Sequence, residues 1–315
     1  MKYTIKDIAQ LAKVSKSTVS RVLNDDPKVS ESTRQLVQHI VKQLNFQPNQ
    51  SARAMRGATM PVIGIIVTRL DSTAESQTLR AILHELYQQH ITPLIVESQF
   101  QVASVQQHFQ LFEKRNVDGV ILFAFSKLSE NIVKQWKKSL VTVARQYPNI
   151  SSVFYDDKNA IQTLLLHFYR QGLKNIAYLG IDDHDETTGY LRNQSYLAFC
   201  QQYQIVPNLI KTQLEMESSY QDAQKLFTQS VDVIVCASSR LALGVFKYLQ
   251  EKQLNIPIAC VGGNALLQFV VPNLIYLDFG YHQAGKWAAE MLLTQLKQPS
   301  TMIEQRCAPF RLNKG

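Results

Sequence analysis

Three arginines follow apolar, strand-like runs: Arg69 and Arg145 come directly after a run, and Arg192 comes after a polar loop at 182–189. Ligands of open α/β sheets bind beyond the carboxyl ends of the strands. Arginine binds phosphate or carboxylate through paired hydrogen bonds. The three positions together predict a small anionic ligand, whereas each arginine alone is explained as readily by a surface salt bridge.

A second group of polar residues lies near the N-terminus and opens a short helical pattern: Lys16, Ser17, Thr18, Ser20 and Arg21. Small hydroxyl and cationic side chains at the start of a helix suit base edges and phosphates in a major groove. A solvated basic face is the ordinary explanation of a lone charge run. Here the apolar pattern, the capping residue and the charge agree, which favours a nucleic-acid contact.

Two short helical patterns, interrupted at residues 13–15, position this group. Ser15 is placed to cap the second pattern, which runs from about Lys16 to Leu23. Two such helices joined by a short turn form a helix-turn-helix. A third helix, capped by Ser30, is predicted for about 31–44. Its face towards the first two helices is assigned to Leu36, Val37, Ile40 and Leu44.

Beyond residue 61 continuous apolar runs alternate with helical stretches, which is typical of a parallel α/β fold. We predict about eight strands, near 62–67, 93–96, 119–123, 140–143, 176–179, 231–235, 258–261 and 274–277. The helices between them are predicted near 76–89, 102–114, 131–138, 159–171, 190–203, 218–228 and 241–251. These strands would form one large sheet or two smaller ones.

The positive charge is concentrated at the N-terminal end of the chain. The formal net charge of the 315 residues is +8. Residues 1–57 contain ten basic and four acidic residues, a net charge of +6, which leaves +2 for the other 258 residues. The excess therefore lies where the helix-turn-helix predicts a nucleic-acid contact.

The cysteines and the hydropathy exclude several classes of protein. Cys200, Cys236, Cys260 and Cys307 form no metal-binding spacing, so neither a zinc site nor a cofactor is expected. Cys236 and Cys260 lie in apolar runs and are predicted to be buried thiols. We find no secretory segment and no apolar run of membrane-spanning length, and we expect a cytoplasmic protein.

The segment Thr4 to Asn24, TIKDIAQLAKVSKSTVSRVLN, resembles the DNA-binding headpiece of the LacI/GalR family of repressors. The resemblance implies that Lys16, Ser17 and Arg21 read bases. It assigns phosphate contacts to Thr4, Ser15, Thr18, Asn24, Ser30, Thr33 and Asn49. The domains that it implies are a headpiece at 1–48, a hinge helix at 49–58, and a two-lobed effector-binding and dimerisation domain at 59–315.

The hinge segment contains NQSARAMRG, and nine residues are too few for a stable isolated helix in water. We expect it to become helical only on DNA, as the family's hinge helix does. By resemblance Met55 is the apolar wedge that enters the minor groove, flanked by Arg53 and Arg56. The alternative is a linker in which Met55 only packs.

For the core, the resemblance implies two similar lobes like those of a periplasmic sugar-binding protein, with ligand in the cleft between them. The first lobe would hold roughly 60–160 and a returning segment near 281–295. The second lobe would hold roughly 161–277 and the C-terminal tail. The tail has no leucine heptad, so a tetramer built on a C-terminal coiled coil is disfavoured.

Segments such as ESQF (97–100), KRNVDG (114–119) and YLAFC (196–200) resemble a branch of the family that controls trehalose operons and binds trehalose 6-phosphate. The matching effector positions are Arg69, Leu70, Asp71, Ser72, Thr73, Ala74, Glu75, Ala124, Arg145, Asp185, Glu186, Thr187, Thr188, Arg192, Ser239 and Tyr281. Arg69 and Arg145 are assigned to the phosphate. Sugar hydroxyls are assigned to Glu75, Asp185, Thr188 and Arg192, and Tyr281 to an apolar wall.

Two positions depart from the family pattern. Ser239 stands where an aspartate usually binds sugar hydroxyls, and Ala124 stands where a glycine is expected. Both changes leave the sugar preference less defined than the phosphate preference. Trehalose itself, or another sugar, remains the alternative effector.

The resemblance implies a homodimer on a near-palindromic operator, released when ligand closes the cleft; whether ligand induces or corepresses is open from sequence alone. An enzyme acting on sugar phosphates is the main rival. Asp156 and Asp157 are its candidate carboxylate pair, although Tyr155 to Asp157 fits better as cleft lining or a helix cap. The other rival is a sugar-binding module without DNA, against which the basic headpiece argues.

Overall fold

The computed structural model describes residues 4–23, 26–44, 60–271, 273–298 and 302–313. The chain separates into two compact units, residues 1–60 and 61–315. Four predicted DNA contacts lie outside the described residues, together with the rest of the predicted hinge helix: Asn24, Asn49, Arg53 and Met55. Among the described residues, no helix is long and apolar enough to cross a membrane.

The first unit contains the predicted helix-turn-helix and a third helix. These are α1 (Ile5–Leu11), α2 (Lys16–Leu23) and α3 (Glu31–Gln43). Ile8, Val19 and Val37, one from each helix, are fully buried in a single apolar cluster. The prediction of three helices around a small apolar core is confirmed.

Hydrogen-bonding side chains begin these helices where the sequence predicts. Thr4 and Asp7 form a capping box on α1, in which the Thr4 N–H donates to the Asp7 carboxylate at 2.7 Å. Ser15 and Ser30 accept from the backbone N–H three residues later, at 3.1 and 3.4 Å. Each cap satisfies an N–H that would otherwise lack an intrahelical partner.

Two side chains of this unit differ from prediction. Leu36 is 47% exposed, because Val37 and Ile40 occupy the inward stripe of α3 and Leu36 lies at its edge. Ser20 is only 7% exposed rather than part of the polar outer face. It lies on the flank of α2, beside the inward Val19.

The second unit alternates strands with helices. Its strands are β1 (Ile63–Val67), β2 (Leu94–Glu97), β3 (Gly119–Phe123), β4 (Ser139–Ala144), β5 (Ser151–Tyr155), β6 (Ile176–Ile181), β7 (Asn208–Thr212), β8 (Val233–Cys236), β9 (Ile258–Val261), β10 (Ile275–Asp278), β11 (Gln305–Ala308) and β12 (Arg311–Asn313). Its helices are α4 (Thr73–Gln88), α5 (Val102–Lys114), α6 (Glu130–Val133), α7 (Asp157–Arg170), α8 (Arg192–Tyr203), α9 (Met216–Ala223), α10 (Ser239–Glu251), α11 (Ala265–Val270) and α12 (Tyr281–Lys297). A π-helical turn, Glu186–Leu191, precedes α8.

Within the described residues the strands form two sheets of six, and each sheet is the centre of a lobe. The first lobe has the order β11-β5-β4-β3-β1-β2, all parallel. The second has the order β12-β10-β9-β8-β6-β7, in which only β12 is antiparallel. Helix α12 packs on α4 and returns to the first lobe, as expected. The parallel α/β prediction is confirmed, with two sheets rather than one.

All eight predicted strands are present, but β5, β7, β11 and β12 were not predicted. Their sequences are short and carry polar residues, because they lie at or near the sheet edges. The tail PFRLNKG (309–315) was assigned to the second lobe, and the pairing of β12 with β10 confirms that assignment. Strand β11 pairs with β5 in the first lobe, and only β12 joins the second.

The predicted helix 131–138 is only the four-residue α6. Beyond its end, the Trp136 ring packs beside Phe109 and Phe112, and its Nε1 donates to the Ser139 carbonyl at 3.1 Å. The prediction that Cys236 and Cys260 are buried is confirmed.

Candidate functional site

A cleft lies between the two sheets of the second unit, where strand ends of both lobes meet. The space between the lobes, with its open mouth included, is about 1070 Å³. Residues at or just after strand ends line it: Thr68, Ala124, Ala144, Tyr155, Ser238, Val261 and Phe279. The rule that predicted a ligand at strand ends therefore locates the cleft.

The structure brings most of the predicted effector residues to this cleft. Those that line it are Arg69, Ser72, Thr73, Ala74, Glu75, Ala124, Asp185, Thr187, Thr188, Arg192, Ser239 and Tyr281. Leu70, Asp71, Arg145 and Glu186 are not among the lining residues. Leu70 is 54% exposed and follows Arg69 on the outer side of the loop.

Glu75 is a half-buried carboxyl at the start of α4. Its Oε2 accepts from the backbone N–H of Thr68 at 2.7 Å and of Arg69 at 3.3 Å, and its Oε1 accepts from the Thr68 hydroxyl. Burial raises the pKa of Glu75 to about 7 despite these hydrogen bonds. Near neutral pH both the protonated and the ionised form of Glu75 are therefore present, so the group can donate or accept a hydrogen bond.

Arg192 and Asp157 form a buried ion pair in the floor of the cleft, within the second lobe. Arg192 Nε donates to Asp157 Oδ1 at 2.6 Å, Nη1 donates to the Ala237 carbonyl, and the guanidinium lies 5.0 Å from the Phe279 ring centroid. The two side chains are 5% and 3% exposed. Burial raises the pKa of Asp157, and the Arg192 charge opposes that rise.

Aromatic rings form the apolar wall of the cleft. Tyr155 stacks on Phe279 at 5.0 Å between ring centroids and meets Tyr281 edge-on at 5.5 Å. Gly262 lies against the Tyr281 ring at a φ of 75°, where an added Cβ would come within 2.8 Å of Tyr281 Oη. Burial raises the pKa of Tyr281 to about 12, so the hydroxyl stays protonated. Flat apolar walls with a hydroxyl edge suit the faces of sugar rings.

Arg145 lies beside the cleft and is held by backbone oxygens. Its Nη1 donates to the carbonyls of Phe125 at 3.1 Å and Leu128 at 3.0 Å, and its Nη2 pairs with Glu186 of the second lobe. The preceding Ala144 has a φ of 76°, a conformation uncommon for a residue other than glycine. Arg145 is therefore held beside the cleft and is not among the residues that line it.

Arg69 lies at the mouth of the cleft and is also paired. Nε and Nη2 each donate to Asp71 at 3.0 Å, and Nη1 donates to Glu215 of the second lobe at 2.7 Å. Arg240 binds the same two carboxylates, Asp71 at 2.7 Å and Glu215 at 3.2 Å. The pairing with Asp71 leads the causes that raise the pKa of Arg69 still further.

In the first unit, the predicted base-reading residues share one exposed surface. Lys16, Ser17 and Arg21 of α2 are all exposed. Ser15 Oγ lies 2.6 Å from Ser17 Oγ and 2.8 Å from Thr18 Oγ1, so three hydroxyls cluster at the start of the helix. Thr4, Ser30 and Thr33 are placed at the starts of α1 and α3, where N–H groups and hydroxyls favour anions.

Family models match both units. The model described as bacterial regulatory proteins, lacI family, matches residues 4–49, and the periplasmic binding protein-like domain matches residues 165–315. The HTH-type transcriptional regulator TreR of Salmonella typhimurium is 42% identical over 310 residues, covering 98% of this chain and 96% of that protein. The chain belongs to the lacI family.

Solved structures agree with that membership. The trehalose repressor from Escherichia coli superposes with a TM-score of 0.78 at 38% identity, covering 80% of this chain and 99% of that one. A lac repressor dimer bound to operator superposes with a TM-score of 0.86 at 21% identity over 100% of this chain and 98% of that one, which shows the shared fold. This lacI-family chain is a DNA-binding transcriptional regulator, and its relatives are regulators rather than enzymes.

The structure gives separate roles to the three residues that the rival enzyme hypothesis had grouped. Tyr155 to Asp157, the enzyme rival's candidate site, divides three ways: Tyr155 lines the cleft, Asp156 caps α7 through the Asn159 N–H at 3.0 Å, and Asp157 is paired with Arg192. Sequence reasoning missed Phe279, Glu215 and Arg240. Phe279 could have been found because it directly follows an apolar run, whereas nothing local marks Glu215.

Proposed function

We propose that this lacI-family regulator represses a trehalose operon in the cytoplasm and that trehalose 6-phosphate, bound in the cleft, releases it from operator DNA. The identity with TreR supports a trehalose-related effector. The observation that carries the phosphate is an arginine among the residues that line the cleft, Arg69, beside a polar and aromatic interior. An arginine at the edge of the cleft would separate a phosphate end from a sugar end.

The phosphate end comprises Arg69 and Arg145 in this proposal. Each arginine is bound to a second-lobe glutamate, Glu215 and Glu186 respectively. A phosphate offers more acceptor oxygens and more charge than one carboxylate, so it can replace these partners. The loop residues from Leu70 to Thr73 and the Ala74 position shape this end, with Ser72 also capping α4.

The sugar end combines hydroxyl partners with aromatic walls. Glu75, Asp185, Thr188 and Ser239 present oxygens to the cleft, and Tyr281 closes one side. Asp185 already holds its loop by accepting from the Thr188 N–H at 2.9 Å, while Thr187 donates to the same carboxylate at 3.2 Å. We assign Arg192 to the same end, where Asp157 fixes its guanidinium. Ala124 forms part of the floor.

On the DNA side, we assign base contacts to Lys16, Ser17 and Arg21. Phosphate and minor-groove contacts are assigned to Thr4, Ser15, Thr18, Asn24, Ser30, Thr33, Asn49, Arg53 and Met55. Contacts to phosphate position a protein on DNA, and contacts to base edges specify the sequence.

We also assign a homodimer. Leu266, Phe269 and Val270 lie on one face of α11 and are 70%, 89% and 42% exposed. Apolar side chains clustered in this way mark an interaction surface. A second copy of the chain fits this surface, since symmetric dimers match near-palindromic operators.

The test is fluorescence anisotropy of the full-length protein on a labelled operator from its own upstream region. Trehalose 6-phosphate is titrated in parallel with trehalose and glucose 6-phosphate. We expect release of DNA by trehalose 6-phosphate alone. An Arg21→Ala variant, which lacks a base-reading cation, is expected to lose about 1–3 kcal/mol of operator binding while retaining ligand binding.

Each outcome decides a part of the proposal. Tighter DNA binding with trehalose 6-phosphate would keep the ligand and make it a corepressor. Release by trehalose alone would refute the phosphate assignment. No response to any of the three sugars would refute the effector and point to the changed positions Ser239 and Ala124.

A further inference from the structure

Four charged side chains at the mouth of the cleft form a ring of alternating sign. Arg69 and Asp71 come from the end of β1 in the first lobe, whereas Glu215 and Arg240 come from the starts of α9 and α10 in the second. All four neighbouring pairs are in contact, at 3.0 Å within the first lobe, 3.2 Å within the second, and 2.7 Å for both pairs that cross between lobes. The ring therefore joins the lobes at the cleft mouth.

The arginines and the carboxylates of the ring differ in their exposure to solvent. The Arg69 and Arg240 side chains are 21% and 19% exposed, whereas Asp71 and Glu215 are 60% and 46% exposed. The arginines are thus held by the protein, and the carboxylates face solvent. A carboxylate that faces solvent loses little when it leaves its partner, because water replaces the hydrogen bonds.

We propose that Arg240 is a phosphate-binding residue contributed by the second lobe, and that Glu215 is the carboxylate which the phosphate displaces. The proposal rests on the proposed function, in which the effector is phosphorylated. A phosphate monoester carries a charge of about −1.5 to −2 at neutral pH and three acceptor oxygens. Placed between Arg69 and Arg240, it bridges the lobes with stronger hydrogen bonds than those of Glu215.

The position of Arg240 supports this role better than a purely structural one. Arg240 lines the cleft directly beside Ser239. Arg145 does not line it, and its Nη1 donates to backbone carbonyls. Apart from its two carboxylate partners, Arg240 donates to the Asp71 carbonyl at 3.2 Å. Half-exposed ion pairs add little stability, so stability alone is a weak reason for four charges here.

The ring also supplies discrimination against an uncharged sugar. With no phosphate bound, each arginine retains two carboxylate partners, so an unphosphorylated ligand gains nothing at this end. A phosphorylated ligand exchanges one carboxylate for a better acceptor and holds the lobes together. Effector binding can shift the regulator only through such differential affinity for two states.

The test is isothermal titration calorimetry of the full-length protein with trehalose 6-phosphate and with trehalose. We expect Arg240→Met to weaken trehalose 6-phosphate binding at least about tenfold, the cost of a charge-assisted hydrogen bond, and to leave trehalose binding within about twofold. Glu215→Gln is expected to strengthen trehalose 6-phosphate binding about threefold or more, because a competing charge is removed. Arg240→Lys should be intermediate, since a point charge remains without paired donors.

Matched controls carry the same charge changes outside the cleft. Glu217→Gln lies on α9 two residues from Glu215 and is exposed, and Arg115→Met is exposed at the end of α5. Neither control should alter binding of either sugar. Far-ultraviolet circular dichroism and urea unfolding confirm that each variant is folded before titration.

The result that overturns the inference is distinct from the one that overturns the proposed function. If Arg240→Met and Glu215→Gln weaken both sugars equally, the ring is only a structural contact between lobes and the inference is wrong. If Arg240→Met keeps the wild-type preference for the phosphorylated sugar, Arg240 does not bind phosphate. If the wild type itself shows no preference, the effector assignment fails and the inference falls with it.

Discussion

Two carboxyl groups near the cleft, Asp71 and Glu75, have pKa values that are shifted in opposite directions. Asp71 at the mouth is 60% exposed, and hydrogen bonds from Arg69 and then Arg240 lower its pKa to about 2. Glu75, four residues later, is half-buried, and desolvation raises its pKa to about 7. The two carboxyls differ by burial and partner rather than by position in the chain. Asp71 is a charged partner that can be exchanged, whereas Glu75 is held by hydrogen bonds from the backbone of Thr68 and Arg69.

The arginines show the same contrast. Arg192 is 5% exposed and pairs with Asp157 inside one lobe, whereas Arg69 is 21% exposed and pairs across two. Breaking a buried pair leaves an uncompensated charge in a low-dielectric site, whereas breaking an exposed pair hydrates both groups. The floor pair should therefore determine stability, and the mouth pairs should determine ligand exchange.

The strongest way to break this comparison is to remove one arginine from each region. We expect Arg192→Met to lower the free energy of unfolding by about 3–5 kcal/mol, because Asp157 is left buried and unpaired. Arg69→Met should cost about 1 kcal/mol or less and act on effector binding instead. Urea unfolding at pH 7 measures both. Adding Asp157→Leu to Arg192→Met should recover stability, and equal losses from the two single variants would refute the distinction.

The pH dependence of stability sharpens the comparison of the two carboxyls. Glu75 binds its proton up to about pH 7 when folded, against a value of 4.5 for the model carboxyl. The folded state therefore holds more protons across this range, so stability falls as pH rises from about 4.5 to about 7. The loss of unfolding free energy that Glu75 causes over this range is up to about 3 kcal/mol, because each unit of pKa shift corresponds to about 1.4 kcal/mol.

A Glu75→Gln variant should flatten that decline, since its side chain does not titrate. Urea unfolding of wild type and variant at pH 5 and pH 8 measures the difference. Glu217→Gln, which removes an exposed carboxyl, serves as the control and should keep the wild-type slope. Parallel pH profiles for Glu75→Gln and the wild type would show that burial does not perturb this carboxyl.

The smallest effect is expected at the mouth. Asp71→Asn should lower the free energy of unfolding by about 1 kcal/mol or less at pH 7, and the loss should shrink in high salt. Since the folded pKa of Asp71 is lowered, its contribution is present above the unfolded pKa and is lost as pH falls through about 2. Unfolding in low and high salt measures it. A loss of stability that is large or independent of salt would show that Asp71 behaves like the buried Asp157 and not like an exposed carboxylate.

Prediction from sequence succeeded where the controlling interactions are local. The caps at Thr4, Ser15 and Ser30 and the buried stripes of the three headpiece helices follow from spacing alone. The eight apolar strands were predicted because strands buried on both faces read as continuous apolar runs. Edge strands such as β7 and β12 carry polar residues and gave no such signal.

The site divides in the same way. Arg69, Arg145 and Arg192 were predicted as equivalent because each lies near a strand end, yet one is at the mouth, one is on the rim and one is in the floor. Glu215 was not predicted, since its partner Arg69 is 146 residues away. Only the meeting of the two lobes brings those charges together.

By itself the sequence determined the three-helix headpiece, its concentration of positive charge, and the alternation of strands and helices, because these depend on local spacing and composition. The tertiary structure decided which strands share a sheet, that β11 joins the first lobe while β12 joins the second, and which arginine is buried. It also decided that Asp71 ionises readily while Glu75 resists. Burial and long-range pairing set those outcomes, and neither is written in the order of neighbouring residues.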